Sequence, residues 1–102
     1  MDTVKHIIKL IKEKPSLYLP YTSIRCFKSF ILGWYTRNPD LVKDFNLLEH
    51  DFMKWIHSKY NIEVHSWDKT IEFFSRNEYE ALDLFFELFE EFLEENTSLS
   101  EE

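Results

Sequence analysis

The residues of this 102-residue chain with acid–base, metal-binding or nucleophilic chemistry are nineteen Asp and Glu, twelve Lys and Arg, four His and one Cys. The carboxylates are spread least evenly. Residues 72–102 hold eleven acids and one base, Arg76, which makes a segment near −10; residues 1–71 hold eight acids against eleven Lys and Arg, a body near +3. Glu80, Asp83, Glu87, Glu90, Glu91 and Glu94 recur at helical steps and share one face if the segment is a helix. General acid–base catalysis needs carboxylates in a cleft that drives their pKa values apart, and the polar side of an amphipathic helix is no such cleft. His50 and His57 are seven residues apart, on one face but about 10.5 Å apart along a helix axis. A single metal ion prefers ligands one turn apart, and no Cys, Asp or Glu completes a set here. Cys26 lies outside the apolar stripe of its segment with no His near it in sequence, as suits a small buried or half-buried thiol. One glycine cannot build a phosphate-cradling loop. The expectation is a chain with no catalytic residue, no cofactor and no metal.

Two readings of the acidic face stay open. It is a solvated helix surface, partly neutralised by a lysine stripe elsewhere in the chain, or it is a docking surface for a basic partner. In the second reading Asp83, Glu87, Glu90, Glu91 and Glu94 face the partner, and clustered charge raises the association rate. Four Glu at the C-terminal end of the segment oppose the helix macrodipole, at about 0.3–1 kcal/mol per charge before screening.

These residues need helices to position them, and helical periodicity appears four times. Val4, Ile7, Ile8, Leu10 and Ile11 share one face, Lys5, Lys9 and Lys12 form a stripe on another, and Pro15 stops the helix. Residues 15–21 read as an extended connector between two prolines. Thr22 or Ser23 then caps a second helix, whose apolar face is Ile24, Phe27, Phe30, Ile31, Trp34 and Tyr35. Gly33 lies on its opposite side, either for a close backbone approach or incidentally. Asn38-Pro39 opens a short turn through Val42. A third helix runs from about Phe45 or Leu48 to Lys59 and buries Leu48, Phe52, Trp55 and Ile56. Residues 62–65 alternate like a strand but have no partner strand, so they read as a loop. Ser66 or Asp68 caps a short helix containing Ile71 and Phe74. In the last helix Asn77 caps, Glu80 completes a capping-box pattern, and the run continues to about Glu95. It buries Leu82, Phe85, Phe86, Phe89, Phe92 and Leu93.

The predicted architecture is all-α, a compact bundle of four main helices with short extra helical turns, forming one domain over residues 1–102 with a frayed tail over 96–102. Composition agrees: the chain is 44% hydrophobic and 18% aromatic, enough for a single core. A lone cysteine points to a reducing compartment and the start lacks a signal-peptide layout, so a cytoplasmic location is expected. No apolar run approaches the roughly 20 residues of a membrane span. A net charge of −7 argues against nucleic-acid binding. Tyr18, Tyr21 and Trp67 fall in connectors, where they either seal helix ends or form a partner-binding rim. The apolar arc of the last helix is wide, and Leu88 and Phe92 at its edge offer a homodimer contact.

Five landmarks recur in order over roughly residues 14–93: Lys14-Pro15-Ser16-Leu17-Tyr18-Leu19, Phe30-Ile31-Leu32-Gly33-Trp34-Tyr35, Phe52-Met53-Lys54-Trp55-Ile56 with Lys59-Tyr60, then Trp67, and Glu80-Ala81-Leu82-Asp83-Leu84-Phe85-Phe86-Glu87-Leu88. Together the chain resembles small all-helical immunity proteins found beside bacterial polymorphic or contact-dependent toxins. It departs from the Pro-Gly-Met-Tyr common in such families, since Pro15-Ser16-Leu17-Tyr18 has no glycine. The resemblance implies a non-catalytic protein that neutralises a cognate toxin by tight binding. It names no binding surface. The acidic face suits a basic toxin domain, such as a nuclease. The rival is an oligomeric structural or regulatory helical module.

Overall fold

The computed structural model describes residues 3–37 and 45–96. The short turn expected over 38–42 and the tail beyond Asn96 lie outside the described residues. Thr3 caps the first helix, α1 (Val4–Glu13), by accepting from the His6 N–H at 3.2 Å. Lys14 leaves helical geometry at φ −144°, as expected before Pro15. The following connector is not extended throughout: Pro15–Leu17 form a 3₁₀ turn, and Leu19 tucks into the core. Proline's fixed φ suits the first position of such a turn.

α2 (Ile24–Arg37) starts where the Ser23 hydroxyl accepts from the Cys26 N–H at 3.1 Å. Its buried residues are Ile24, Phe27, Ile31 and Tyr35, with Phe30 and Trp34 half-buried beside them. A Cβ built on Gly33 would meet nothing within 4 Å, so no close approach requires this glycine. The third long helix is already helical at Phe45 and Asn46, widens into a π-helical stretch, Leu47–Phe52, and runs on into α3 (Met53–Tyr60). Leu47 and Phe52, five residues apart, are both buried, a spacing that wider turns align. α3 ends at Asn61, whose left-handed φ of 57° turns the chain into the loop over 62–65.

α4 (Trp67–Phe73) follows Ser66, which sits at the cap position but donates its hydroxyl to Asp68 Oδ1 at 2.7 Å. α5 (Glu78–Glu95) is capped by Asn77 Oδ1, which accepts from the Tyr79 and Glu80 N–H groups at 3.0 and 2.9 Å. Glu80 does not complete the capping box: its carboxylate turns to Arg76, 3.6 Å away. The described residues thus form five α-helices and no strand, one helix more than the four main ones expected.

The core is aromatic and centred on Phe52. Rings of Trp55, Trp67, Phe85, Phe89 and Phe92 surround it at centroid distances of 5.4–5.9 Å. Each such pair adds about 0.5–1.5 kcal/mol beyond its area. Phe27 of α2 joins from the other side, 4.7 Å from Phe85. α5 therefore lies against α2 and α4 with its Phe-rich face inward. Leu88 and Phe92, expected at a dimer contact, are only 4% and 2% exposed. They pack inside the chain's own core, so a second copy would reach them only if that core opened.

Candidate functional site

With the Phe-rich side of α5 committed to the core, its carboxylates face outward. On a helix of 100° per residue, Asp83, Glu94 and Glu87 fall within about 40° of one another. Glu90 lies about 20° beyond this line on one side and Glu91 about 40° beyond it on the other. Neighbouring helices neutralise those two margins. Lys12 of α1 bonds Glu90 Oε1, and Lys59 of α3 donates to Glu91 Oε2 at 2.6 Å. Glu91 thereby holds the Lys59 ammonium above the ordinary lysine pKa. Lys59 also lies over the Trp55 ring, 5.3 Å from its centroid, while Trp55 Nε1 donates to Glu95 at 2.9 Å. These contacts explain how α5 tolerates acid in a last turn that holds no base.

The central line is different. Asp83, Glu87 and Glu94 are exposed, and no hydrogen bond or ion pair holds them among the described residues. The ridge extends about 16 Å along α5 from Asp83 to Glu94. Glu80 continues it toward the helix start. The lysine stripe of α1 reaches its edge, where Lys12 lines a shallow pocket with Asp83 and Glu87, and α1 and α5 flank a groove of about 670 Å³ with Phe86, Phe89 and Leu93 below and Lys9 and Lys12 on its wall. Of the five acids expected to face a partner, three stay open and two are ion-paired at the rim.

The three connector aromatics separate. Tyr21 is 67% exposed. Tyr18 is half-buried and packs edge-on against Phe30 at 6.1 Å. Trp67 is fully buried as the first residue of α4, so the rim reading is corrected for it. Its indole fills the space between Phe27, Phe52 and Phe85, and its Nε1 donates to Glu49 Oε2.

That bond belongs to a half-buried polar cluster the sequence reading did not isolate. Lys28 Nζ donates to Glu49 Oε1 at 2.8 Å, lies 3.4 Å from Asp68 Oδ1, and sits 4.4 Å above the Trp67 ring. It joins α2, the π-helical stretch and α4. Its signal in the chain is faint: Lys28 falls about 20° beyond Tyr35, at the edge of the apolar stripe of α2. Phe73 was missed as well. It lies about 120° from Trp67 on the wheel of α4, off the buried arc of Trp67, Thr70 and Ile71.

His50 Nδ1 meets Asp51 at 3.0 Å, and His57 Nε2 donates to the His65 carbonyl at 2.7 Å, so the two histidines turn to separate partners. Among the described residues no three His, Cys, Asp or Glu converge on a metal position, and no helix is long and apolar enough to cross a membrane. Cys26 is half-buried. Searches against protein-family models, curated proteins and solved structures find no match to this chain.

Proposed function

We propose that this chain is a non-catalytic binding protein of the toxin-immunity kind, which neutralises a basic toxin domain in the bacterial cytoplasm by docking it on the ridge of α5. One observation carries the reading. The line Asp83–Glu87–Glu94 stays open while lysines from α1 and α3 neutralise the acids on either side. A helix surface whose acids were simply being tolerated would gain from a base at its centre as much as at its edges. An uncompensated central line keeps a negative potential pointed at solvent, which accelerates encounter with a cationic surface and loses that advantage in salt. The order of landmarks shared with immunity proteins supports the same class.

The test is charge reversal along the line. The variant carrying Asp83→Lys, Glu87→Lys and Glu94→Lys alters only exposed side chains and keeps the helical signal in circular dichroism. Against the cognate basic domain, its association rate should fall at least about tenfold in low salt and converge with wild type in high salt. Cells producing the toxin should be protected by wild type and poorly by the variant. An unchanged association rate and salt dependence would remove the ridge from the interface.

A further inference from the structure

The end of α4 carries two adjacent exposed aromatic residues. Phe73 is 70% exposed and Phe74 46%. They are held firmly. Phe74 N–H bonds the Thr70 and Ile71 carbonyls, Ser75 N–H bonds Glu72 O at 3.1 Å, and Ser75 Oγ donates to Ile71 O at 2.8 Å. Phe74 stacks on Tyr60 at 4.5 Å and 18°, and Phe73 stands edge-on to Phe74 at 5.1 Å and 90°. The result is a three-ring tier fixed by a helix end on one side and by α3 on the other. Rigid exposed aromatics lose little entropy on binding, and aromatic side chains are enriched at the centres of interfaces.

The tier adjoins the ridge. Tyr60 follows Lys59, the residue that pairs with Glu91 on the α3 margin of the acidic line. Burial raises the Tyr60 phenol pKa, which Lys59 lowers and the Glu91 carboxylate raises further, as expected for three groups set close together. Leu84 lies near the wheel position of Glu91, two turns toward the tier, and is half-buried. The tier therefore starts one residue beyond the ion pair at the margin of the ridge. Charge also differs across it. Acid lies on the α5 side, whereas α4 carries the exposed Lys69 one helical turn before Phe73.

We propose that Tyr60, Phe73 and Phe74 are the apolar anchor of the interface whose charged half is the α5 ridge. The partner then carries an apolar cleft beside its basic surface, with the basic surface turned toward α5 and away from Lys69. This rests on the docking reading of the ridge. In this arrangement the carboxylates govern encounter and the rings govern residence time.

Site-specific photo-crosslinking in the full chain, within cells of its natural host, tests the two halves separately. Benzoyl-phenylalanine replaces Phe73 in one variant, Glu87 in a second, and Leu32, an exposed residue of α2, in a third as background. The expected result is one basic polypeptide, identified by mass, attached at positions 73 and 87 and absent at 32. Phe73→Ser should then raise its dissociation rate at least tenfold with the association rate within twofold of wild type. Attachment at 87 without 73, or an unchanged dissociation rate in Phe73→Ser, overturns the anchor and leaves the ridge standing. Attachment at 73 alone, with association indifferent to reversal of Asp83, Glu87 and Glu94, overturns the ridge. Attachment at 73 to a second copy of this chain, or at neither position, overturns the proposal.

Discussion

Arg25 ties three elements with one side chain. Its Nε and Nη2 donate to the two carboxylate oxygens of Glu72 at 3.2 and 2.6 Å, and its Nη1 lies 3.3 Å from Glu78. The hydrogen bonds from Arg25 hold the Glu72 carboxyl below its ordinary pKa of 4.5, against a smaller opposing effect of burial. A carboxyl whose folded pKa is depressed contributes stability that is complete above its unfolded value and lost as pH falls through the folded one. Wild type should therefore unfold at higher urea than Glu72→Gln at pH 7, and the gap should close below pH 4.5. Urea midpoints at pH 7, 5 and 3 check this, and a gap independent of pH would assign the effect to packing. Pairing of this kind is where sequence reading stopped. The spacing of Asp83, Glu87 and Glu94 placed them on one face, but nothing local says that Lys12 and Lys59 reach Glu90 and Glu91 from 78 and 32 residues away.

Among elements, those with local causes were legible and those with tertiary causes were not. α5 announces its start through Asn77 and its register through six apolar residues at helical spacing, Leu82, Phe85, Phe86, Phe89, Phe92 and Leu93. The π-helical stretch at Leu47–Phe52 depends on what packs beneath it and no residue type marks it, while Pro15 suits a 3₁₀ turn as well as an extended connector. Trp67 shows the same limit, since a connector aromatic and a first helical residue look alike until Phe27, Phe52 and Phe85 close around it. Gly33 of α2 is an element-scale weakness with no compensating contact. Gly33→Ala should raise stability by about 0.5–1 kcal/mol through helix propensity and reduced freedom of the unfolded chain. A higher urea midpoint with unchanged slope is the expected readout; a lower midpoint would mean that the site needs glycine for a reason outside the chain's own packing.

Across the whole molecule, apolar residues concentrate on Phe52 while charge is segregated by surface. Removing the hub ring leaves a cavity bordered by five aromatic neighbours that cannot collapse without moving three helices. Phe52→Ala should cost about 3–5 kcal/mol, a large part of the roughly 5–15 kcal/mol that holds a domain together. Chemical unfolding monitored by tryptophan emission measures it, and a loss under 1 kcal/mol would contradict the packing described. The π-helical stretch that delivers Phe52 to this position has a further meaning for chain length. Leu47–Phe52 winds more residues into each turn than an α-helix does. A chain one residue shorter there could run as continuous α-helix with its two halves in nearly the same phase, because fewer α-helical steps sweep the angle that the wider π-helical steps do. Which residue is removed then decides the outcome: without Glu49, Lys28 and the Trp67 indole would lose their shared carboxylate. The wider turn thus carries one surplus residue while the helix on either side keeps its face to the core.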